Sequence, residues 1–145
     1  MGRVMALDVG TKTIGIALSD ELRMFPNPHS TLSRKGVRRD SDRIAAIIAE
    51  RDVDHVVVGL PLELDGTEAR SARLARQVGE AVRERTGLPV TYIDERYSSV
   101  EAERRLVEMD VSRARRKEII DQAAAAVILQ SFLDHGDWTR DGEEP

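Results

Sequence analysis

The amino-acid sequence predicts an α/β fold: a mixed central sheet, antiparallel in its first three strands and flanked by helices. Three observations carry that reading. Two apolar runs of strand length, residues 3–8 and 13–19, are separated by Gly10-Thr11-Lys12, which is hairpin spacing. Farther on, segments of helical period alternate with short β-branched runs, the order expected of parallel crossover units. Apolar residues make up 41% of the 145, enough for one core that hides about two-thirds of the unfolded surface, in a chain too short for two ordinary domains.

The first strand, Arg-Val-Met-Ala-Leu-Asp at 3–8, runs into the turn, where Gly10 supplies backbone freedom, and Thr13 to Ser19 forms the second. A third occupies Met24 to Leu32. Pro26 and Pro28 have no N–H to give a ladder, so its first half is confined to an edge or an irregular stretch. Ile44, Ile47 and Ile48 recur at helical spacing with Ala45, Ala46 and Ala49, predicting a helix from Val37 to Arg51. His55 to Gly59, built on three successive valines, predicts a strand buried on both faces. Thr67 to Thr86 follows as a long amphipathic helix with Ala72, Ala75, Val78 and Val82 inward and Gly87 at its end. Val90 to Ile93 supplies the last strand. Residues 99–109 and 117–134 predict two more helices, with the basic segment Asp110 to Arg116 between them. Residues 1–134 then form the domain, and 135–145 an acidic, disordered tail in which Trp138 is a local anchor.

Composition removes several classes of function. With no cysteine there is neither a disulfide framework nor a thiolate site, which suits a reducing cytoplasm. The first residues show no export signal, and no run approaches the roughly 18 apolar residues of a membrane span, so a soluble cytoplasmic protein with no membrane partner is expected. Aromatic residues are only 3%, too few for a base-stacking platform to dominate recognition. The net charge of −4 is carried by residues 134–145, five acids against Arg140, which leaves the rest neutral. Within that rest, residues 34–43 (Arg34, Lys35, Arg38, Arg39 and Arg43 against Asp40 and Asp42) and residues 96–117 each carry +3. Such runs are commonly solvated faces, but two of them flanking candidate catalytic acids favour a polyanionic partner. The three histidines show no ligand spacing, and neither a Walker-type nor a dinucleotide glycine pattern is present.

Three acids stand where apolar elements should carry none: Asp8, Glu95 and Asp121. A carboxylate among apolar groups loses hydration at a cost of roughly several kcal/mol unless a cation or several donors replace the water. Together they suggest a shared divalent cation and hence a metal-dependent nuclease. Asp8 ends the first strand beside the turn, where it would either cap that turn or ligate a metal with Thr11 and Lys12 beside a phosphate. Glu95 follows Thr91-Tyr92-Ile93-Asp94, and alternation puts it on the face of Thr91 and Ile93, opposite Asp94; the bland alternative is a surface pair with Arg96. Asp121 lies four residues before Ala125 in a helix with four successive alanines, so it shares whatever Ala125 packs against, unless it only complements the helix dipole.

Leu7-Asp8-Val9-Gly10-Thr11-Lys12 with Ile14-Gly15-Ile16-Ala17, Gly59-Leu60-Pro61-Leu62 with Asp65-Gly66-Thr67, Asp94-Glu95-Arg96, and Lys117 through Asp121-Gln122-Ala123-Ala124 form four ordered motifs. With them, residues 3 to 133 resemble the YqgF family, described both as Holliday-junction resolvases and as nucleases of the 5′ end of precursor 16S ribosomal RNA. The resemblance implies a ribonuclease-H-like fold with the family's catalytic acids on Asp8, Glu95 and Asp121. It also makes Arg113 to Lys117 a mobile loop near substrate.

The expectation is therefore an endonuclease that uses two Mg²⁺ or Mn²⁺ ions, about 3.5–4 Å apart, to activate water and stabilise the leaving oxygen. Asp8 would anchor both ions, with Glu95 and Asp121 on one each. Thr11, Lys12, Arg96, Arg113, Arg115, Arg116 and Lys117 would contact the nucleic acid. Processing of precursor 16S ribosomal RNA comes first, and cleavage of four-way DNA, which needs the same chemistry, stays open. Two symmetric nicks need a dimer, whereas RNA processing suits a monomer or weak homodimer. A non-catalytic RNA-binding assembly factor is a further alternative. An ATP-handling protein, whose fold can also open on an Asp-x-Gly-Thr turn, is disfavoured because one domain of 145 residues cannot close over a nucleotide as a pair does.

Overall fold

Alternation along the first two apolar runs and the short turn between them make a hairpin: β1, Arg3–Val9, lies antiparallel to β2, Thr13–Ser19, with Val9 opposite Ile14 and Met5 opposite Leu18. The computed structural model of the chain describes residues 2–60, 70–94 and 113–135, the side chains of residues 113–119, 121 and 135 excepted. β3, Pro26–Ser33, adds antiparallel to β2 at the sheet edge, where its prolines need no partner on the outer side. α1, Val37–Glu50, carries the chain back so that β4, Val53–Leu60, pairs parallel with β1. α2, Arg70–Thr86, does the same for β5, Val90–Asp94, beside β4. The sheet order is β3-β2-β1-β4-β5, and a final helix, α3, Arg113–His135, packs across it.

Central strands buried on both faces divide their side chains between two cores. Met5, Leu7 and Val9 of β1 join Ile14, Ile16, Val56 and Val58 beneath Ile44 and Ile48 of α1 and Ala72, Ala75, Val78 and Val82 of α2. Val4 and Ala6 point the other way, with Ala17, Val57 and Ile93, and meet Ala125, Ile128, Leu129 and Phe132 of α3. Each fully buried Val, Leu or Ile contributes about 1.5–3 kcal/mol of transfer free energy. Ala124 and Ala125 are 1% and 0% exposed, so at their level only methyl groups separate the helix from what it packs against.

The mixed sheet, the antiparallel first three strands and the parallel crossovers are as the sequence predicts. The helix expected from Thr67 is described from Arg70, and that expected at 99–109 lies outside the described residues, as does the tail from 136. β3 runs from Pro26 to Ser33 and not from Met24 to Leu32, and two further boundaries move for identifiable reasons. β4 begins at Val53, not His55, because Asp52 reverses the chain at φ 54 and its carbonyl accepts the Arg3 N–H at 2.9 Å, starting the ladder early. The last helix begins at Arg113, four residues before its expected start at 117, so Arg113, Arg115, Arg116 and Lys117 are helical, not a loop. No glycine or proline interrupts residues 110–121, and Arg, Ala and Lys all favour helix. Gly87 ends α2 as expected, at φ 71, with its N–H on the Arg83 carbonyl at 2.8 Å. Among the described residues, no helix is long and apolar enough to cross a membrane.

Beneath α2, Gly79 lets Tyr92 of β5 pass directly under the helix; a Cβ there would meet the Tyr92 Oη at 2.4 Å and two ring carbons at 3.0 Å. The hydroxyl donates to Glu80 at 2.6 Å and the Arg76 guanidinium lies 4.8 Å from the ring centroid, so the tyrosine has little room to yield. Burial, and then the Glu80 carboxylate, push that hydroxyl well above the ordinary tyrosine range. Gly79→Ala should lose about 1–3 kcal/mol of stability in urea unfolding. Adding Tyr92→Phe to that variant should recover part of the loss, and a Gly79→Ala protein as stable as the parent would contradict the close approach.

Candidate functional site

Asp8 continues the Val4-Ala6 side of β1, so its carboxylate lies on the face covered by α3. It is half-buried. Across β2 its register partner is Gly15, and continuing the parallel register of Leu7 with Val58 by one residue sets Gly59 on its other flank. Gly59 in turn pairs with Ile93 of β5, which packs toward α3. The positions directly opposite the carboxylate on both adjoining strands are therefore glycines. A glycine inside a strand weakens the strand, and its usual reason is that something must come close.

The turn beyond Asp8 is fixed at three points. The Gly10 N–H closes on the Thr13 carbonyl at 2.8 Å, the Arg34 backbone N–H donates to the Lys12 carbonyl at 2.8 Å, and the Arg34 Nη1 donates to the Gly10 carbonyl at 3.0 Å. Thr11 and Lys12 project from this fixed frame into solvent. Arg34 is itself held by Asp40, which is 0% exposed and takes the Arg34 Nε at 2.7 Å, the Arg43 Nη2 at 2.7 Å and the Lys35 N–H at 2.9 Å. Burial alone would raise the Asp40 pKa, but the Lys35 amide and the two guanidiniums outweigh it and hold the carboxyl below its usual range.

Helix α3 runs antiparallel to β1. Phe132, near the helix end, stacks on His55 at 4.9 Å between ring centroids, and His55 is the register partner of Val4. Eleven residues earlier in the helix is Asp121, a rise of roughly 16 Å, while Asp8 lies four residues beyond Val4, roughly 13 Å along the strand. Position 121 thus reaches the level of Asp8, on the stripe of Ala125, Ile128 and Phe132 that covers the sheet. Because the helix starts at Arg113, Asp121 is its ninth residue, well past the first turn, which removes the helix-dipole explanation for an acid there.

Of the predicted ligands, the structure brings Asp8 and the backbone of position 121 to one face and one end of the sheet. The Asp121 side chain is among those not described, and Glu95 and Arg96 lie outside the described residues, one and two positions after the end of β5. Among the described residues, no three acidic or histidine side chains come together at metal-holding distance. Arg113, Arg115, Arg116 and Lys117 all fall at the start of α3, at the helix end nearest Asp8.

A family model described as RuvX, Holliday junction resolvase, matches residues 2–135. The chain belongs to the RuvX family. A Myxococcus xanthus relative named "Putative pre-16S rRNA nuclease" is 46% identical over 132 residues, covering 91% of this chain and 87% of the relative. A Cereibacter sphaeroides relative of the same name is 45% identical over 137 residues, covering 94% and 86%. Among solved structures, RuvC of Thermus thermophilus superposes with a TM-score of 0.60 at 14% identity, over 96% of this chain and 99% of that one. The ribonuclease-H-like fold implied by the sequence motifs is thus the fold of this RuvX chain.

Sequence reasoning missed the supports of the site. Arg34 and Arg43 belong to a basic run in the sequence, but in the fold both are neutralised by Asp40, and they hold the turn from behind. An acid inside a basic run, three residues before Arg43 and six after Arg34, was the available signal. Gly15 and Gly59 carry a signal of their own, because a glycine in the middle of a strand marks a close approach.

Because the Asp40 pKa is depressed in the folded state, its charge stabilises the fold fully above the unfolded value near 3.9 and that stabilisation is lost as pH falls below it. Asp40→Asn should cost about 3 kcal/mol at neutral pH, read by urea unfolding, by leaving two guanidiniums without their counter-charge. The gap between parent and variant should close as the pH is lowered past about 4. A gap that stays constant down to pH 3 would remove Asp40 from this role.

Proposed function

We propose that this RuvX chain is a divalent-metal-dependent endonuclease of the cytoplasm that hydrolyses phosphodiester bonds in the 5′-end processing of precursor 16S ribosomal RNA. The observation that carries the proposal is Asp8: a carboxylate at the end of the central strand, between two glycines, facing the helix that bears Asp121. Oxygen ligands and room for water suit a hard cation such as Mg²⁺ or Mn²⁺, which keeps part of its hydration shell and needs few protein ligands. The names of the curated relatives support the choice of substrate.

When bound, a pair of such ions supplies a water acidified toward neutrality and a counter-charge for the pentacovalent phosphorus. Asp8 would help hold both ions, with Glu95 and Asp121 on one each. Thr11 and Lys12, on a turn that Arg34 and Asp40 keep in place, would bind a phosphate beside the scissile bond, so that orientation is set before the substrate arrives. Arg96 and the cations of Arg113 to Lys117 would hold flanking phosphates. Those four cations stand at the positive end of α3, where they cost helix stability, and a bound polyanion relieves that repulsion.

The family description favours a second reading, cleavage of four-way DNA, through the same residues. A side-by-side assay on precursor 16S RNA and a four-way DNA junction, in Mg²⁺ and in Mn²⁺, separates the two. RNA should be cut at its 5′ precursor side, and Asp8→Asn should keep its unfolding free energy within about 1 kcal/mol while losing at least about 10³ in rate. Cleavage by the parent at the level of Asp8→Asn would overturn the nuclease reading, and cleavage of the junction alone would overturn the choice of RNA. Lys12→Ala should weaken RNA binding and lower the slope of log affinity against log salt by about one phosphate contact, measured by fluorescence anisotropy.

A further inference from the structure

Behind the Gly10–Thr13 turn, the basic run 34–43 divides into two sets. Arg34 and Arg43 spend their guanidiniums on Asp40, and the other acid of the run, Asp42, is paired with Arg85 of α2 at 2.7 Å. That leaves Lys35, Arg38 and Arg39. All three are exposed, and among the described residues none of their side chains has a hydrogen-bond or ion-pair partner. With Lys12 and Arg85 included, this corner holds seven cations against two acids. A solvated charged face ordinarily mixes the two signs, and here both acids are already taken. Arg38 and Arg39 also stand in the first turn of α1, beside the positive end of the helix dipole, where a cation is unfavourable, and Gly36 at the cap has no side chain to screen them. The three charges burden the free chain, and a polyanion would relieve them.

Their place relative to Asp8 is fixed. The Arg34 N–H and Nη1 bond the Lys12 and Gly10 carbonyls, so Lys35, next in the chain, begins beside the turn that follows Asp8. Asp40 draws the first turn of α1 onto the same point by accepting from the Lys35 N–H and the Arg34 Nε. Lys12, Lys35, Arg38 and Arg39 therefore follow one another away from the Asp8 end of β1. α1 packs on the Met5-Leu7 face of the sheet and α3 on the Val4-Ala6 face. This strip and the basic start of α3 consequently flank the Asp8 end from opposite faces. The strip is built of cations without an aromatic ring, so what it can hold is backbone phosphate, not bases. An acidic protein would satisfy the same charges, but Lys12 already borders Asp8, and a strip continuous with it favours the nucleic acid lying there.

We propose that Lys35, Arg38 and Arg39 continue from Lys12 as a phosphate-binding track for the RNA on one side of the scissile bond, with the start of α3 serving the other side. This rests on the reading of Asp8 as the place of cleavage. The RNA then passes over the end of the sheet from one face to the other. A substrate must extend beyond the cut on both sides to engage the whole surface, and a strand that ends at the cut engages half of it. The three are positioning residues, which hold the flank in register while the chemistry takes place at Asp8. Arg34 and Asp40 join the track to the Thr11-Lys12 turn, so the register is set by one fixed unit.

Fluorescence anisotropy of the full chain with a labelled 5′ leader of precursor 16S RNA, in EDTA so that nothing is cut, reads the track by itself. Lys35→Ala with Arg38→Ala and Arg39→Ala should weaken binding at least about tenfold at low salt and lower the slope of log affinity against log salt by about two contacts. The unfolding midpoint of this triple variant should stay or rise, since no internal partner is lost and the helix start is relieved of two cations. In Mn²⁺ the loss should fall on KM, vanish for RNA shortened from one side of the cut and persist for RNA shortened from the other. An unchanged affinity and slope overturns the proposal, as does a loss that persists whichever side is shortened. Intact RNA binding beside lost binding to polyglutamate assigns the strip to an acidic protein and equally overturns it. A parent chain that cuts nothing overturns the reading of Asp8, whereas the salt slope in EDTA still decides the track, so the two fail separately.

Discussion

Strand β1 has no free face, and that constraint organises the molecule. A strand packed on both sides, with one neighbour antiparallel and the other parallel, must be apolar along its length, and Arg3–Val9 is so from Val4 to Leu7. Its polar residues are therefore forced to the two ends. At one end Arg3 reaches to the Arg51 carbonyl and Glu21; at the other stands Asp8. The two-residue period then decides which helix Asp8 faces, because Val4 and Ala6 have already committed their side to α3.

A second constraint lies behind the turn. Removing a carboxylate wholly from water is tolerable only with full hydrogen bonding, and Asp40 has it, from two guanidiniums and an amide. The arrangement ties the start of α1 to the end of β3 and the Gly10–Thr13 turn, which the sheet ladder has already brought together. An ion pair of this kind adds little net stability compared with an apolar substitute, and its value is in specifying one geometry. Here the geometry specified is that of the turn carrying Thr11 and Lys12.

Where a property depends on period or on backbone chemistry, the sequence declares it. Val56-Val57-Val58 announces a buried strand, Pro26 and Pro28 an edge, and Gly87 a helix end, and each is found so. Asp8 could be picked out because a charge ending an apolar run is costly. Arg34 and Asp40 could not, because nothing in a string of charges says which are buried against each other; that is settled by α1 turning its first residues onto the hairpin. The start of α3 is hidden for a related reason: a basic stretch suggests a solvated loop, yet helix propensity, unbroken by glycine or proline, prevails.

The sheet order also governs the time at which the site comes into being. β1, β2 and β3 are joined by short connections, so their pairing closes small loops and is fast, whereas the parallel partner β4 and the covering helix α3 must be brought in from far along the chain. On a ribosome the meander that displays Asp8 and its turn can form while most of the protein is unmade. The helix that covers it is the last described element along the chain. The covering of Asp8 thus waits for α3, and a product that stops short of that helix bears the acid and its turn with one face of the sheet open.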